Sequence, residues 1–175
     1  MRLAACLALF CASVQAQPVR VVTDDLDHFW IMADAVAAKP DSAARVGLIE
    51  ALYLAPGTPG LAALTARRGL TAADYAEALA RYPRFWSAVR QNTGRAGASA
   101  RAIREAAEGL QTLYPSLRPA TVYFTVGALT TNGMTLDSTV FIGSELALAD
   151  ADTPTDELPA RLGDSLRRYF DSDPV

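Results

Sequence analysis

The sequence predicts an α+β fold: mainly α-helix, with a small β-hairpin or sheet and a C-terminal helix. Through the first two thirds of the chain, apolar residues recur at three- and four-residue spacing, the period of an amphipathic helix. The period changes at residues 121–126 and 138–142, where β-branched and aromatic residues predict strands. A last helical stripe begins near Thr155, so we expect a helical N-terminal half, two or three strands, and then one more helix.

Capping residues and prolines divide the helical half. A short β-prone segment, residues 19–22, precedes a first helix that begins near Thr23 or Asp24. That helix ends at Lys39-Pro40, because the residue before a proline disfavours the helical conformation. Further helix starts are predicted where a side chain can cap free N–H groups or where a proline lacks one: Asp41, Thr58-Pro59, Thr71 and Pro83. The helix that begins at Thr58-Pro59 is short and stops at Gly69.

Residues 92–97 contain two glycines and predict a mobile loop, and the longest helix follows at about residues 98–114. Its apolar residues share one face: Ile103, Ala106, Ala107, Leu110, Leu113 and Tyr114. Between the two strands, Asn132-Gly133 is a strong turn dipeptide, so we predict a β-hairpin with a long connection. The acidic residues 150–157 predict a surface loop.

The N-terminus predicts a secretion signal over residues 1–16. Arg2 supplies the positive charge, about 12 uncharged apolar residues follow, and Ala16 stands where signal peptidase needs a small residue. That stretch is shorter than the roughly 20 residues of a membrane-spanning helix, so we expect no stable membrane insertion. We therefore expect a periplasmic or secreted protein, cleaved before Gln17, whose residues 17–175 form a single domain.

Charge and cysteine content restrict the partners further. The chain has a net charge of −3, and removal of Arg2 with the leader makes it more acidic, which argues against binding nucleic acid. Both cysteines lie in the leader, so residues 17–175 cannot form a disulfide. Residues 3–6 are similar to a lipoprotein acylation box, although almost no apolar segment precedes Cys6, and lipidation there is left open.

The sequence lacks the common signatures of catalytic and cofactor sites. A catalytic zinc ion usually has three protein ligands from His, Cys or acidic residues, and the chain has one histidine, His28. It contains neither a phosphate-binding G-x-x-x-x-G-K-[ST] motif nor a G-x-S-x-G nucleophile motif. We expect no cofactor.

Three groups of residues allow both a functional and a structural interpretation. His28, with Asp24, Asp25 and Asp27 nearby, is either half of a His–Asp acid–base pair or part of a solvated helix face. Aromatic residues at helical spacing either line a ligand groove or fill the core: Phe29, Trp30, Phe85, Trp86 and Tyr114.

The third group lies at the ends of the two predicted strands. Glu145 follows an apolar strand and Gly143, so its carboxylate either faces a cleft or caps the next turn. The candidate substrate-binding residues are Thr125, Gly127, Gly143 and Glu145.

An ordered set of segments carries a family resemblance. The segments are residues 25–30, 53–61, 82–85, 113–115, 122–127 and 142–145. They contain the aromatic pair Phe29-Trp30, the dipeptides Tyr82-Pro83 and Tyr123-Phe124, and Ile142-Gly143-Ser144-Glu145. Their order and spacing resemble the secreted bacterial family of predicted zinc-dependent proteases. The resemblance implies a signal peptide, a helical first half and then a hairpin, and it covers nearly all of residues 17–175.

The same family carries a His-Glu-x-x-His helix shortly after the segment that here reads Asp171-Ser172-Asp173-Pro174-Val175, and this chain stops before such a motif. The resemblance thus implies the N-terminal part of a zincin-like protein, an incomplete domain inactive as it stands, with zinc expected only in full-length relatives. It also implies an extended peptide as partner, paired to a sheet edge, and strands 121–126 and 138–142 are the candidates for that edge. The alternative is a non-catalytic periplasmic binding or interaction module, and a third possibility is an enzyme that uses carboxylates alone.

Overall fold

The computed structural model describes residues 19–172, and the α+β prediction is confirmed within them. The predicted signal peptide, residues 1–16, lies outside the described residues together with Cys6 and Cys11. The helices are α1 Asp24–Ala37, α2 Ser42–Ile49 with a π-helical extension Glu50–Leu54, α3 Pro59–Arg68, α4 Ala72–Arg81, α5 Pro83–Thr93, α6 Ala96–Leu113, α7 Ser144–Ala147 and α8 Ala160–Ser172.

Local signals placed several helix ends correctly. Asp41 caps α2, where its carboxylate accepts a hydrogen bond of 2.7 Å from the backbone N–H of Ala44. Thr58 caps α3 through its hydroxyl oxygen, and Pro59 takes the first helical position. Gly69 ends α3 with a positive φ of 66°, a conformation that costs glycine little because it has no Cβ.

The sheet has four strands within the described residues, one more than the two or three predicted. They are β1 Val19–Val22, β2 Ala120–Thr125, β3 Gly133–Leu136 and β4 Thr139–Gly143, in the order β1-β2-β4-β3. Strands β1, β2 and β4 are parallel, and β3 is antiparallel to β4 at one edge. Helix α6 packs on β1, while α1 and α3 contact β2.

The predicted hairpin between residues 121–126 and 138–142 is wrong, because β2 and β4 are parallel neighbours. The hairpin is formed by β3 and β4 instead, and Asp137, with a positive φ of 51°, stands in its two-residue turn. Asn132-Gly133 is therefore not the hairpin turn, since Gly133 begins β3. The proposed peptide-binding edge is corrected as well: β2 and β4 are inner strands, and the antiparallel outer strand is β3.

Two predicted boundaries are also wrong. Residues 92–97 are largely helical, because α5 continues to Thr93, α6 begins at Ala96, and only Gly94 and Arg95 separate them. The last helix begins at Ala160 rather than near Thr155.

The acidic segment 150–157 is a loop, as predicted, but part of it is buried. Thr153 is 4% exposed and its hydroxyl oxygen accepts a hydrogen bond of 3.1 Å from the side-chain amide of Asn92. Glu157 accepts a bond of 2.9 Å from the backbone N–H of Phe85 and so caps the first turn of α5. These bonds hold the segment against α5.

Most of the aromatic residues that sequence left ambiguous belong to the core. Phe29 is fully buried, and its ring centroid lies 4.9 Å from that of Trp30, 5.2 Å from Tyr53 and 5.3 Å from Trp86. Phe85 is also fully buried. Tyr114 is 61% exposed, and Leu110 and Leu113 on the apolar face predicted for α6 are exposed too, because only the first part of that face packs against the rest of the fold.

Candidate functional site

The candidate site lies where the parallel strands β2 and β4 end. Carboxyl ends of neighbouring parallel strands lie at the same end of a sheet, so the residues that follow them are brought together. Thr125 ends β2, Gly127 follows two residues later, Gly143 ends β4, and Glu145 lies in the first turn of α7. The structure thus brings the four predicted site residues to one place.

Glu145 is the centre of this cluster, and it is fully buried. Its Oε1 accepts hydrogen bonds of 2.9 Å from the backbone N–H of Gly127 and 2.9 Å from that of Leu129. Its Oε2 is buried with no hydrogen-bond partner among the described residues. The carboxylate therefore does not face a cleft. It fixes the turn that follows β2, which is distant in sequence from the turn that contains Glu145.

Burial determines the protonation of Glu145. Removal from water raises the pKa of its carboxyl to about 7, because a charge without solvent or a cation is unfavourable, and the N–H groups of Leu129, Glu145 itself and Gly127 oppose the rise. A carboxylic acid whose pKa lies near neutral pH is suited to proton transfer when it faces a cleft. Here no solvent-facing side of the group exists to receive a substrate, so the geometry supports a structural role.

The turn that Glu145 holds has an unusual backbone. Ala128 and Leu129 have φ values of 48° and 65°, and the N–H of Thr130 donates a 3.0 Å bond to the carbonyl of Gly127. Positive φ at both central positions is typical of turns that favour Asn-Gly. A non-glycine residue held in this conformation costs about 1–3 kcal/mol. The Thr130 hydroxyl adds a bond of 2.6 Å to the Gly127 carbonyl.

Two tyrosines anchor the residue before this turn. The hydroxyl groups of Tyr53 and Tyr75 donate to the carbonyl of Val126 at 2.8 and 3.0 Å, and the N–H of Val126 donates to the Tyr53 hydroxyl at 3.0 Å. Burial raises the pKa of both phenols, so both stay protonated near neutral pH. Sequence analysis missed this pair, since a tyrosine on an apolar helix face carries no signal that distinguishes a buried hydrogen bond from ordinary packing.

Gly143 and Thr131 connect this turn to the edge strand β3. A Cβ at position 143 would lie 1.8 Å from the carbonyl oxygen of Thr131, so only glycine permits this approach. The Thr131 hydroxyl in turn bonds the carbonyl and the N–H of Gly133, the first residue of β3, at 2.9 and 3.1 Å. The fully buried Thr125 donates a long bond of 3.4 Å to the carbonyl of Ile142.

The register defines which backbone groups of β3 are free. The N–H of Gly143 donates to the carbonyl of Asn132, so the alternation of an antiparallel ladder turns the N–H and C=O of Gly133 and Thr135 away from β4. The Thr131 hydroxyl occupies both outward groups of Gly133. Thr135 is exposed, and its outward N–H and C=O groups have no protein partner among residues 19–172.

The outer side of the strained turn borders a small cleft. Ala128, Leu129 and Thr130 line a cavity of about 280 Å³, opposite residues of α4 that include Asp74 and Arg81. That volume is just below the 300–1,000 Å³ of common small-molecule sites. The turn therefore lies between the buried carboxylate and the protein surface.

The acidic group at the start of α1 divides in two: Asp24 and Asp27 are exposed, as on a solvated helix face, whereas Asp25 is buried and fits neither interpretation of the sequence. Asp25 is 1% exposed and accepts bonds from the N–H and the hydroxyl of Thr58 at 2.8 and 2.6 Å, so it ties α1 to α3. Burial raises the pKa of Asp25, and the bonds from Thr58 oppose the rise. His28 is half-buried, and its Nδ1 has no partner among the described residues.

Within residues 19–172, no group of three or more His, Cys, Asp or Glu side chains is placed so that it could hold a metal ion. In the same range, no helix is both long and apolar enough to span a bilayer. Comparison of the chain with protein-family models, with curated proteins and with solved structures gave no significant match. The resemblance to predicted zinc-dependent proteases, and the role of the four site residues in substrate binding, stay predictions.

Proposed function

We propose that this chain is the non-catalytic scaffold of an exported zinc-peptidase-like protein and that it holds an extended peptide along β3. The observation that carries the proposal is the edge strand itself: it is antiparallel, largely exposed, and without a partner at Thr135 on its outer side among residues 19–172. An extended peptide that pairs with such an edge gains main-chain hydrogen bonds without any requirement for its own sequence.

The buried cluster supports this proposal because it positions the edge. Glu145 fixes the turn at residues 127–130, and Thr131 leads directly from that turn into β3. An edge strand with free N–H and C=O groups pairs readily with other chains, and proteins usually protect it. On this strand the Thr131 hydroxyl protects Gly133, and an incoming peptide would exchange that hydroxyl for its own backbone.

The chemistry of the chain supports a scaffold rather than a zinc enzyme. The printed sequence has one histidine, so these residues cannot supply the two imidazoles of a His-Glu-x-x-His helix. The alternative, a non-catalytic periplasmic binding or interaction module that keeps the fold without the metal site, is favoured by a cleft that both tryptophans line.

The test compares two substitutions at one residue. Thr135→Pro removes the outward N–H and leaves the ladder to β4 intact, because the inward groups of β3 belong to Met134 and Leu136. Thr135→Val keeps the N–H and serves as the matched control. A fluorescein-labelled peptide library in extended, protease-resistant form would be titrated against both variants by fluorescence anisotropy.

We expect the chain and Thr135→Val to bind the same peptides, and Thr135→Pro to lose at least about tenfold in affinity, since one hydrogen bond lost with its partner left unpaired is worth that much. Equal binding by all three proteins would show that the peptide lies elsewhere. An absence of binding to any of them would contradict the scaffold function.

A further inference from the structure

The cleft lined by both tryptophans is a site that the edge strand does not use. It has a volume of about 490 Å³, within the range of small-molecule sites, and lies between α1, α2, α4 and α5. Its walls combine two indole rings, an apolar floor that includes Leu79, and three charged side chains: Asp34, Arg45 and Arg90.

Both indoles present only carbon surface to the cleft. The Nε1–H of Trp30 donates to the hydroxyl oxygen of Thr93 at 2.8 Å, and that of Trp86 donates to the carbonyl of Ala78 at 2.9 Å. A ligand gains no hydrogen bond from either ring. It gains apolar contact, which aromatic side chains provide over a large area.

The charges of the cleft are not equivalent. Arg90 lies with its guanidinium carbon 5.2 Å from the centroid of the Trp30 ring and pairs through both terminal nitrogens with Asp34, one of the bonds being 2.8 Å long. Cation–π contact and a two-point ion pair hold Arg90 in place and compensate its charge. This pair forms a neutral wall.

Arg45 is the remaining cation. Its Nε–H donates to the carbonyl of Lys39 at 2.6 Å, which fixes the guanidinium and leaves its terminal nitrogens for another acceptor. Among residues 19–172 it forms no ion pair. A planar guanidinium held beside apolar walls is suited to a carboxylate, which it binds through two parallel hydrogen bonds.

We propose that this cleft binds an apolar or aromatic group that carries a carboxylate, with the apolar part against Trp30 and Trp86 and the carboxylate on Arg45. Such a group occurs in free organic acids and at the C-terminus of a peptide. The site is separate from β3, so it does not rest on the proposed peptide scaffold.

The two tryptophans of the chain both line the cleft, so tryptophan fluorescence, excited at a wavelength that tyrosine does not absorb, reports on this site. The purified chain would be titrated with 4-phenylbutyrate, with the uncharged 4-phenylbutyramide, and with acetyl-Ala-Ala-Phe that has a free carboxylate. Arg45→Gln tests the anion contact, and Arg67→Gln, an exposed arginine on α3 outside the cleft, is the matched control. Circular dichroism would verify that both variants are folded.

We expect saturable fluorescence changes with the acid, and affinity at least about tenfold lower for the amide and for Arg45→Gln, because a charge-assisted hydrogen bond is lost in each case. Arg67→Gln should match the unsubstituted chain. Tighter binding of the tripeptide than of phenylbutyrate would assign the site to peptide C-termini, and the reverse order would assign it to free acids. No saturable change, equal binding of acid and amide, or an unaffected Arg45→Gln variant would overturn the proposal.

Discussion

Glu145 Oε1 lies 2.9 Å from the backbone nitrogen of Gly127, and this bond joins the segments that follow two parallel strands, β2 and β4. The two residues are eighteen positions apart, so the contact exists only once the sheet has formed. It places a fully buried carboxyl group against a strained turn at residues 127–130, on the path from β2 to the edge strand.

Glu145 should make the stability of the protein depend on pH between about 4.5 and 7. Its pKa is raised from 4.5 to about 7 in the folded state, so the folded protein retains a proton that the unfolded chain releases in this range. The free energy of unfolding should fall as pH rises through this window, by up to about 3 kcal/mol, and level off above pH 7. The raised pKa of Asp25 acts in the same direction.

Urea unfolding at half-unit steps of pH would measure this, with Glu145→Gln as the comparison. Glutamine keeps an oxygen for Gly127 and Leu129 but does not ionise, so its curve should be flatter across the window. A Glu145→Gln variant whose stability falls as steeply as that of the unsubstituted chain would assign the pH dependence to other groups.

Gly143→Ala should destabilise the fold by about 3 kcal/mol, because the new methyl group would lie 1.8 Å from the carbonyl oxygen of Thr131, a backbone atom that cannot swing away as the end of a flexible side chain can. Gly109→Ala is the matched control: position 109 lies within α6 with nothing near its Cβ direction, so this change should stabilise the protein by about 0.5–1 kcal/mol. Thermal denaturation of both variants checks the opposite signs. Equal effects would mean that Thr131 does not approach Gly143 this closely.

The two tyrosines that bond Val126 should differ in their contributions. Tyr53→Phe leaves the buried N–H of Val126 without an acceptor, so it should lower the free energy of unfolding by about 1–3 kcal/mol. Tyr75→Phe leaves the Val126 carbonyl with its bond from Tyr53, so it should lower the free energy of unfolding by only about 0.5–1.5 kcal/mol. Chemical denaturation gives both values. A larger loss for Tyr75→Phe would reverse the assignment of the two hydroxyl groups.

Export should remove residues 1–16. A positive residue, an apolar stretch and small residues before Gln17 form the pattern that signal peptidase cleaves. Protein recovered from the periplasm or the medium should begin at Gln17 by N-terminal sequencing, and replacing Ala16 with a bulky residue should block processing. Recovery of exported protein that still begins at Met1 would contradict this.

The sequence by itself determined the features that depend on neighbouring residues. Thr58-Pro59 and Gly69 bound α3, Asp41 begins α2, and the change in period marks residues 121–126 and 138–142 as strands, because caps, prolines and side-chain periodicity act within a few residues. The same local information placed the candidate site at the ends of those strands. It did not give their direction, since parallel and antiparallel strands share one composition.

Only the tertiary structure decided how these pieces meet. The parallel pairing of β2 with β4 makes β3 the edge, brings Glu145 to Gly127, and sends Asp25 to Thr58 rather than to solvent. It also buries Tyr53 and Tyr75 on Val126 while leaving Tyr114 exposed, although all three appear as aromatics on apolar helix faces. The physical reason is that burial and hydrogen-bond partners between distant segments follow from packing of the whole chain, which no local pattern encodes.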